Sequence, residues 1–499
     1  VGYIRAFLLQ HFPCVGVWAV IVVRSSRGGV LKVDGFRIRV VERLALPSIW
    51  ARLKAIRGAG WNTFLLRADD VFLDMLTDSG VNAMSDRQLA AMITAQDAYA
   101  GGRSYYELVD AVREVFGMDY VLPVHQGRAA EHLLAKVFVR PGMVVITNYH
   151  FTTSKAHVEL AGGEMIEIPV PQALDTTSDY PFKGDMDVSR LEELISSMRG
   201  RVAYVRLEAV ANLLGGQPVS MKNIRLVREL CDKFNVPLVL DASMIDWNAY
   251  FIKEREPGYA SKSLAEIVRE MAGYADIIYM SARKAPAVRG GLIATNKREY
   301  YEKLVVLLPV YEGFPSYGGM SVKELAAMAV GLKEMVDESL VGSELELIRY
   351  VVEELDKRRV PVVRPPGGLG VHLDAARFLE HLPRNLYPAA SLTGALYLAS
   401  GVRAMERGTM SMDRARDGRE VYADLELVRI AFPRRTYTRS HAEYLVDRIL
   451  WLYENRDAVK GLKWVYEPPV LRFFLGRLED IGGWGEELAR RYERDLGEY

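Results

Sequence analysis

The sequence predicts an α/β fold, with a large domain on a mostly parallel sheet covered by helices and a smaller α+β domain after it. Three observations carry this. Between about Tyr120 and Ala294, the apolar runs "YVLPV", "MVVITN", "VAYVRLEAV", "VPLVLDA" and "ADIIYMS" alternate with helical stretches. Continuous apolar strands separated by helices are what a parallel sheet buried on both faces requires. Beyond about Ser343 the elements shorten and the punctuation changes.

Taken in order, the beginning is the exception. The run "FLLQHFPCVGVWAVIVV" (Phe7 to Val23) is short for a membrane anchor, contains Gln10, His11 and Pro13, and lacks a small-residue cleavage site. We read residues 1–33 as an appended segment rather than a targeting sequence. Regular patterning starts near Asp34, and residues 34–84 read as an arm and part of the small domain. Residues 85–342 form the large domain. Within it, "SRLE" at Ser189 has capping-box spacing, and Ser220 precedes the amphipathic run of "PVSMKNIRLVREL". Residues 343–480 read as the small domain. Its "VRPPGGLG" (Val363 to Gly370) follows prolines and precedes a strand, so it is not a nucleotide fingerprint. The polar stretch "SMDRARDGREVYAD" (Ser411 to Asp424) follows, and residues 481–499 read as a charged, solvated helix.

Composition narrows the function. The 499 residues carry 64 basic and 64 acidic side chains, so net charge points to neither nucleic acid nor a membrane surface. Cys14 and Cys231 allow no disulfide framework or cysteine-based zinc site, and the eight histidines lack metal-ligand spacing. A reducing cytoplasm and a small-molecule substrate fit best.

Ligands of such sheets sit at the carboxyl ends of the strands. Three features lie there. "PVHQGRAAEHLLAKVF" places Gly127 and Arg128 in a turn before a helix, either an ordinary helix entry or an offer of amides, a dipole and a cation to an anion. "VPLVLDA" ends in Asp241, either a cap or salt bridge at the sheet edge or a counter-charge to a protonated heterocycle. Lys284 follows "ADIIYMS", where desolvation favours a nucleophilic amine. Together they match the phosphate, ring nitrogen and aldehyde of pyridoxal phosphate.

The sequence also resembles a family, the aromatic amino-acid β-eliminating lyases, which comprises the tyrosine phenol-lyase and tryptophanase groups. The resemblance runs from about Phe36 to Asp480 through "LTDSGVNAMSD", "DAYAGGRSYYEL", "HQGRAAE", "GGQPVSM", "NAYFIKERE", "YEGFPSYGG", "FPRRTYT" and "KGLKWVYEPPVLRFF". It implies pyridoxal-phosphate fold type I, aspartate aminotransferase-like, with a seven-stranded sheet, and a homotetramer with sites built between subunits. Carried over, Lys284 is the Schiff-base lysine and the base for the substrate Cα. Asp241 holds the ring nitrogen, Asn212 the phenolic oxygen and Phe151 the ring face, while Gln126, Gly127, Arg128 and Ser281 hold the phosphate. Arg434 with Ser79 takes the substrate carboxylate, and Tyr99 protonates the leaving ring.

Three markers favour tyrosine over tryptophan within the family. Arg407 and Thr152 match the pair that contacts a phenolic hydroxyl, and Phe473–Phe474 replaces a histidine–phenylalanine pair. The implied reaction takes L-tyrosine and water to phenol, pyruvate and ammonium. Tryptophanase activity or another pyridoxal-phosphate-dependent β-elimination is the alternative, and an aminotransferase of the same fold is the competing class, although a transaminase has no use for Tyr99, Thr152 and Arg407. The chain departs from the family at Met244, Leu369 and Ala285, and the loop before Gly290 is one residue shorter. The family binds a monovalent cation there. Gly80 and Asp97 occupy two of its positions, but the third, an asparagine, is missing and Arg289 stands nearby. Arg289 either substitutes a fixed charge for potassium or is a solvated loop residue.

Overall fold

The structure is a computed structural model and describes residues 21–24, 30–33, 38, 40–415 and 417–497. The appended segment expected over residues 1–33 lies outside them, apart from an antiparallel backbone pairing of Ile21–Arg24 with Val30–Val33. Among the described residues, no helix is long and apolar enough to cross a membrane.

The alternating runs become a seven-stranded sheet: β1 (Tyr120–Val124), β2 (Val144–Thr147), β3 (Glu164–Glu167), β4 (Val202–Glu208), β5 (Leu238–Asp241), β6 (Ile277–Ser281) and β7 (Gly291–Thr295). The spatial order is β1-β7-β6-β5-β4-β2-β3. Only β7 runs against its neighbours, pairing antiparallel with both β1 and β6. All seven residues of β4 are buried, as expected of a central strand covered on both faces.

The helix Met221–Phe234 shows how sequence becomes packing. Ser220 caps it, its Oγ accepting the Asn223 N–H at 3.0 Å. Ile224, Val227 and Cys231 recur at helical spacing and are the buried face. Asn235 in the left-handed conformation ends it and feeds β5.

The second layer system is a three-stranded antiparallel sheet of β8 (Gly370–Asp374), β9 (Met405–Arg407) and β10 (Leu427–Ala431), with β10 in the middle. Against it lies the helix Pro388–Ser400, buried at every residue. The N-terminal part of the chain joins this system: Leu73–Asp74 pairs in parallel with Val402–Arg403, and the helix Ile49–Gly58 packs on Pro388–Ser400.

Two local expectations change. The helix read from Ser189 begins at Val188, and its cap is Asp187, whose carboxylate accepts the Arg190 N–H at 3.0 Å. The tail is a helix, Trp484–Leu496, but it is not merely solvated. Trp484, Leu488, Ala489 and Tyr492 are buried, and the Trp484 ring lies 4.4 Å from that of Trp61. Their spacing makes one apolar stripe beneath the charged residues.

Candidate active site

The register of the sheet decides what faces the site. Glu208 stands opposite Asp241, and Asp241 opposite Tyr279, so three polar side chains form one row at the carboxyl ends of β4, β5 and β6. Above this row is a cavity of about 350 Å³, closed on the far side by β9, β10 and the Phe473–Phe474 segment.

One end of the cavity is built for an anion. The helix Gly127–Phe138 starts there, and its first amides have no intrahelical acceptor. A Cβ on Gly127 would stand 2.8 Å from Cβ of Ser281, and one on Gly291 would stand 2.9 Å from the Gly127 nitrogen. Only glycine lets these backbones close into a cradle. Gln126, Arg128, Ser281 and Arg283 line it. Burial lowers the Arg283 guanidinium below its ordinary value, and the neighbouring Arg289 and Arg128 lower it further. Such crowding of cations invites a phosphate.

At the centre, Asp241 is fixed from both sides. Its Oδ1 accepts the Ser243 hydroxyl at 2.6 Å and the Ser243 N–H at 3.1 Å, and its Oδ2 accepts Arg206 Nη2 at 2.9 Å and the Tyr279 hydroxyl at 2.8 Å. Lys284 lies in the turn after β6, its Nζ hydrogen-bonded to Oδ1 of the fully buried Asp78. Burial lowers the Lys284 amine below its ordinary value, with Asp78 opposing. Oδ2 of Asp78 is buried without a partner.

At the other end, Arg407 Nη1 donates to Thr152 Oγ1 at 3.4 Å, and the guanidinium carbon is 5.4 Å from the Phe473 ring and 6.0 Å from the Phe151 ring. Burial pushes the Arg407 guanidinium down to about 10, with Glu406 and Glu208 opposing. Between the ends, Arg429 donates to Asn212 Oδ1 at 2.8 Å, to the Leu76 carbonyl at 2.9 Å and towards Met405 Sδ at 3.0 Å. Burial first, then Arg407, lower it to about 9. The Nε atoms of Arg407 and Arg429 are both buried without an acceptor.

The fold thus brings Ser79, Gln126, Gly127, Arg128, Phe151, Thr152, Asn212, Asp241, Ser281, Lys284 and Arg407 to one cavity. It does not bring Arg434 there. That guanidinium is held by Asp246 at 3.1 Å and Glu344 at 2.8 Å, over the Trp247 ring at 3.8 Å. Ser79 lines the cavity, but its Oγ accepts Arg283 Nε at 3.2 Å. Tyr99 is 74% exposed, with the Phe314 and Tyr317 rings beside it. Asp97 and Arg289 are exposed, and the cation lying against Gly80 is Arg283, whose Nη2 would stand 2.5 Å from a Cβ there. Met244 lines the cavity in its own right.

Sequence reasoning missed Arg429, Asp78, Arg206, Glu208 and Tyr279. For Arg206 and Glu208 a signal existed, because two charged residues at period two inside the apolar run "VAYVRLEAV" must share one buried face.

The fold and this site define the class. Serine palmitoyltransferase of S. paucimobilis superposes with a TM-score of 0.54 at 11% identity over 78% of this chain and 89% of that one. The Sphingomonas wittichii serine palmitoyltransferase does so with a TM-score of 0.51 at 12% identity, over the same shares. The architecture is that of the pyridoxal-phosphate fold type I enzymes.

Sequence comparison is narrower. The β-eliminating lyase family model matches residues 74–448. A tyrosine phenol-lyase of Intrasporangium calvum is 46% identical over 90% of this chain and 95% of its own length, and that of Symbiobacterium sp. is 44% identical over 90% and 98%. A probable tryptophanase of Aeropyrum pernix is 45% identical over 90% and 97%. The chain belongs to the β-eliminating lyase family.

Proposed function

We propose that this chain uses pyridoxal phosphate to take L-tyrosine and water to phenol, pyruvate and ammonium. The observation that carries the substrate choice is the Arg407–Thr152 pair set among Phe151 and Phe473, which offers hydrogen-bond donors beside aromatic walls. That arrangement suits a phenol ring with a hydroxyl at its end.

The residues present fit the cofactor. The glycine cradle with Arg128 and Ser281 would hold its phosphate, Asp241 its ring nitrogen, Asn212 its phenolic oxygen and Lys284 its aldehyde carbon. When bound, the cofactor supplies a sink for the electrons left at Cα.

The chain's own residues do the rest. Arg429, a buried cation with no carboxylate among its hydrogen-bond partners, takes the substrate carboxylate, a role that Arg434 cannot fill from within its own ion pairs. Lys284, biased towards its neutral form by burial, takes the Cα proton, and Asp78 orients the amine. Arg407 and Thr152 hold the phenolic oxygen. Tyr99 gives the ring carbon its proton. Being exposed, it serves the site of a neighbouring copy, in keeping with a homotetramer. The fixed charge beside Gly80 is Arg283, which takes the place of a bound potassium ion. In this reading residues 85–342 carry the cofactor, residues 343–480 with 34–84 form the second domain, and the enzyme works in the cytoplasm.

The test is to incubate the purified protein and pyridoxal phosphate with tyrosine, tryptophan and S-alkylcysteine, and to assay phenol, indole and pyruvate. Phenol with pyruvate from tyrosine is expected. Indole without phenol would overturn the substrate, and no pyruvate from any of them would overturn the lyase. Lys284→Ala should abolish turnover and the visible cofactor absorbance, whereas Arg283→Ala should retain the absorbance.

A further inference from the structure

The row Glu208–Asp241–Tyr279 poses an electrostatic problem. Parallel pairing puts two buried carboxylates directly opposite each other, and like charges opposite each other on a sheet repel. The chain answers it one pleat lower on the same face of β4. Arg206 reaches up between them, its Nη2 at 2.9 Å from Asp241 Oδ2 and 3.2 Å from Glu208 Oε2. Its Nε donates to the Tyr279 hydroxyl at 2.9 Å, which in turn donates to Asp241 at 2.8 Å. Glu208 uses its other oxygen to accept the Asn212 N–H at 3.1 Å.

The sum of charges is informative. If Asp241 alone answered a cation at the ring nitrogen, the guanidinium touching it would cancel it. With Arg206 present, the excess negative charge is that of Glu208, and Glu208 lines the cavity beside Asp241. Among the other charged or titratable neighbours, Arg407 also feels Glu208, but its hydrogen bond goes to Thr152 and not to that carboxylate. Glu131, on the helix above, is raised chiefly by burial, with Arg206 opposing from a distance, and it accepts the Thr153 and Ser154 hydroxyls at 2.6 Å and the Tyr279 hydroxyl at 3.4 Å. Tyr279 is raised well above its ordinary value, mainly by burial, and stays neutral. Burial, and after it the charge of Asp241, raise Glu208 to about 7 even with Arg206 opposing them, and a second cation at the ring nitrogen brings it back towards its charged form.

We infer that the counter-charge to the cofactor's ring nitrogen is the triad Asp241–Arg206–Glu208, in which Asp241 makes the contact, Arg206 positions it and Glu208 supplies the net negative charge that keeps the nitrogen protonated. This rests on the cofactor assignment proposed for the site. It makes Arg206 and Glu208 positioning residues that act through Asp241, and it gives a buried glutamate at the end of an apolar strand a chemical reason to be there. Because a protonated ring nitrogen is what draws electrons from Cα, the triad sets the strength of the sink without touching the substrate.

The test reads the nitrogen itself. Holoenzyme is reconstituted with pyridoxal phosphate carrying 15N in the ring, and the ring resonance is recorded for the wild type, for Glu208→Gln, and for the double variant Arg206→Met/Glu208→Gln. Glutamine keeps the shape and an acceptor for the Asn212 amide, and the double variant leaves no buried charge newly unpaired. The wild type should show the protonated position. Glu208→Gln should move the resonance to the neutral-pyridine position and lower kcat more than KM changes, and the double variant, in which Asp241 is released from Arg206, should return it to the protonated position. A bound cofactor whose resonance ignores Glu208→Gln would overturn the triad alone. No visible cofactor band in the wild type would overturn the cofactor assignment, and the triad with it.

Discussion

Two arginines five residues apart, Arg429 within β10 and Arg434 just beyond it, are both 2% exposed or less, yet they live in opposite surroundings. Arg434 faces two carboxylates and an indole ring. Arg429 faces an amide oxygen, a carbonyl and a sulfur, with no carboxylate among its hydrogen-bond partners. A buried ion needs a partner. Where the chain supplies the partner, the residue is part of the architecture. Where it does not, the partner is expected to arrive as a ligand. Arg407 belongs with Arg429, since its one side-chain hydrogen bond is a long one to Thr152.

The contrast can be broken from either side. The largest effect on stability should come from Arg434→Met, which strands Asp246 and Glu344 and should cost about 3–5 kcal/mol in denaturant unfolding, with KM for tyrosine little changed. Arg429→Met strands no carboxylate. It should leave the unfolding midpoint in place and lower kcat/KM for tyrosine by about 30- to 4000-fold, the loss of roughly 2–5 kcal/mol when one partner of a charged contact is removed. Arg407→Met should be milder and selective. Removing a charged donor to the phenolic oxygen is worth about 1.5–3 kcal/mol, so elimination from tyrosine should fall roughly 10- to 150-fold while that from S-alkylcysteine, which has no ring hydroxyl, holds. The smallest effect concerns the cation site. With Arg283 against Gly80, added potassium should leave turnover unchanged, and a steep rise with potassium would show that Arg283 is not a substitute.

Much of this was legible in the sequence, for identifiable reasons. The apolar runs gave the strands because residues buried on both faces leave little choice of side chain. Asp241 and Lys284 were legible because a charge at the end of a buried parallel strand stands at the sheet's carboxyl edge, where ligands bind. Arg429 was not. "LVRIAFPRR" contains three arginines, and only the pairing of β10 shows that Arg429 turns inward, while Pro433 has already ended the strand before Arg434. Alternation along β10, with Val428 and Ile430 on one face and Arg429 on the other, was the available signal. The helix cap was misplaced because Asp187 and Ser189 compete within two residues, and the aspartate wins. Asp78 was hidden because its partner Lys284 lies 206 residues away.

The sharpest measurement is a binding titration with L-alanine, which has the carboxylate of the substrate but no leaving group. Holoenzyme, Arg429→Met and Arg434→Met are each titrated and followed by the visible spectrum of the cofactor. If Arg429 is the carboxylate site, the Arg434 variant should bind with wild-type affinity at temperatures where it is folded, and the Arg429 variant should lose binding. Retained binding in the Arg429 variant together with loss in the Arg434 variant would contradict that assignment.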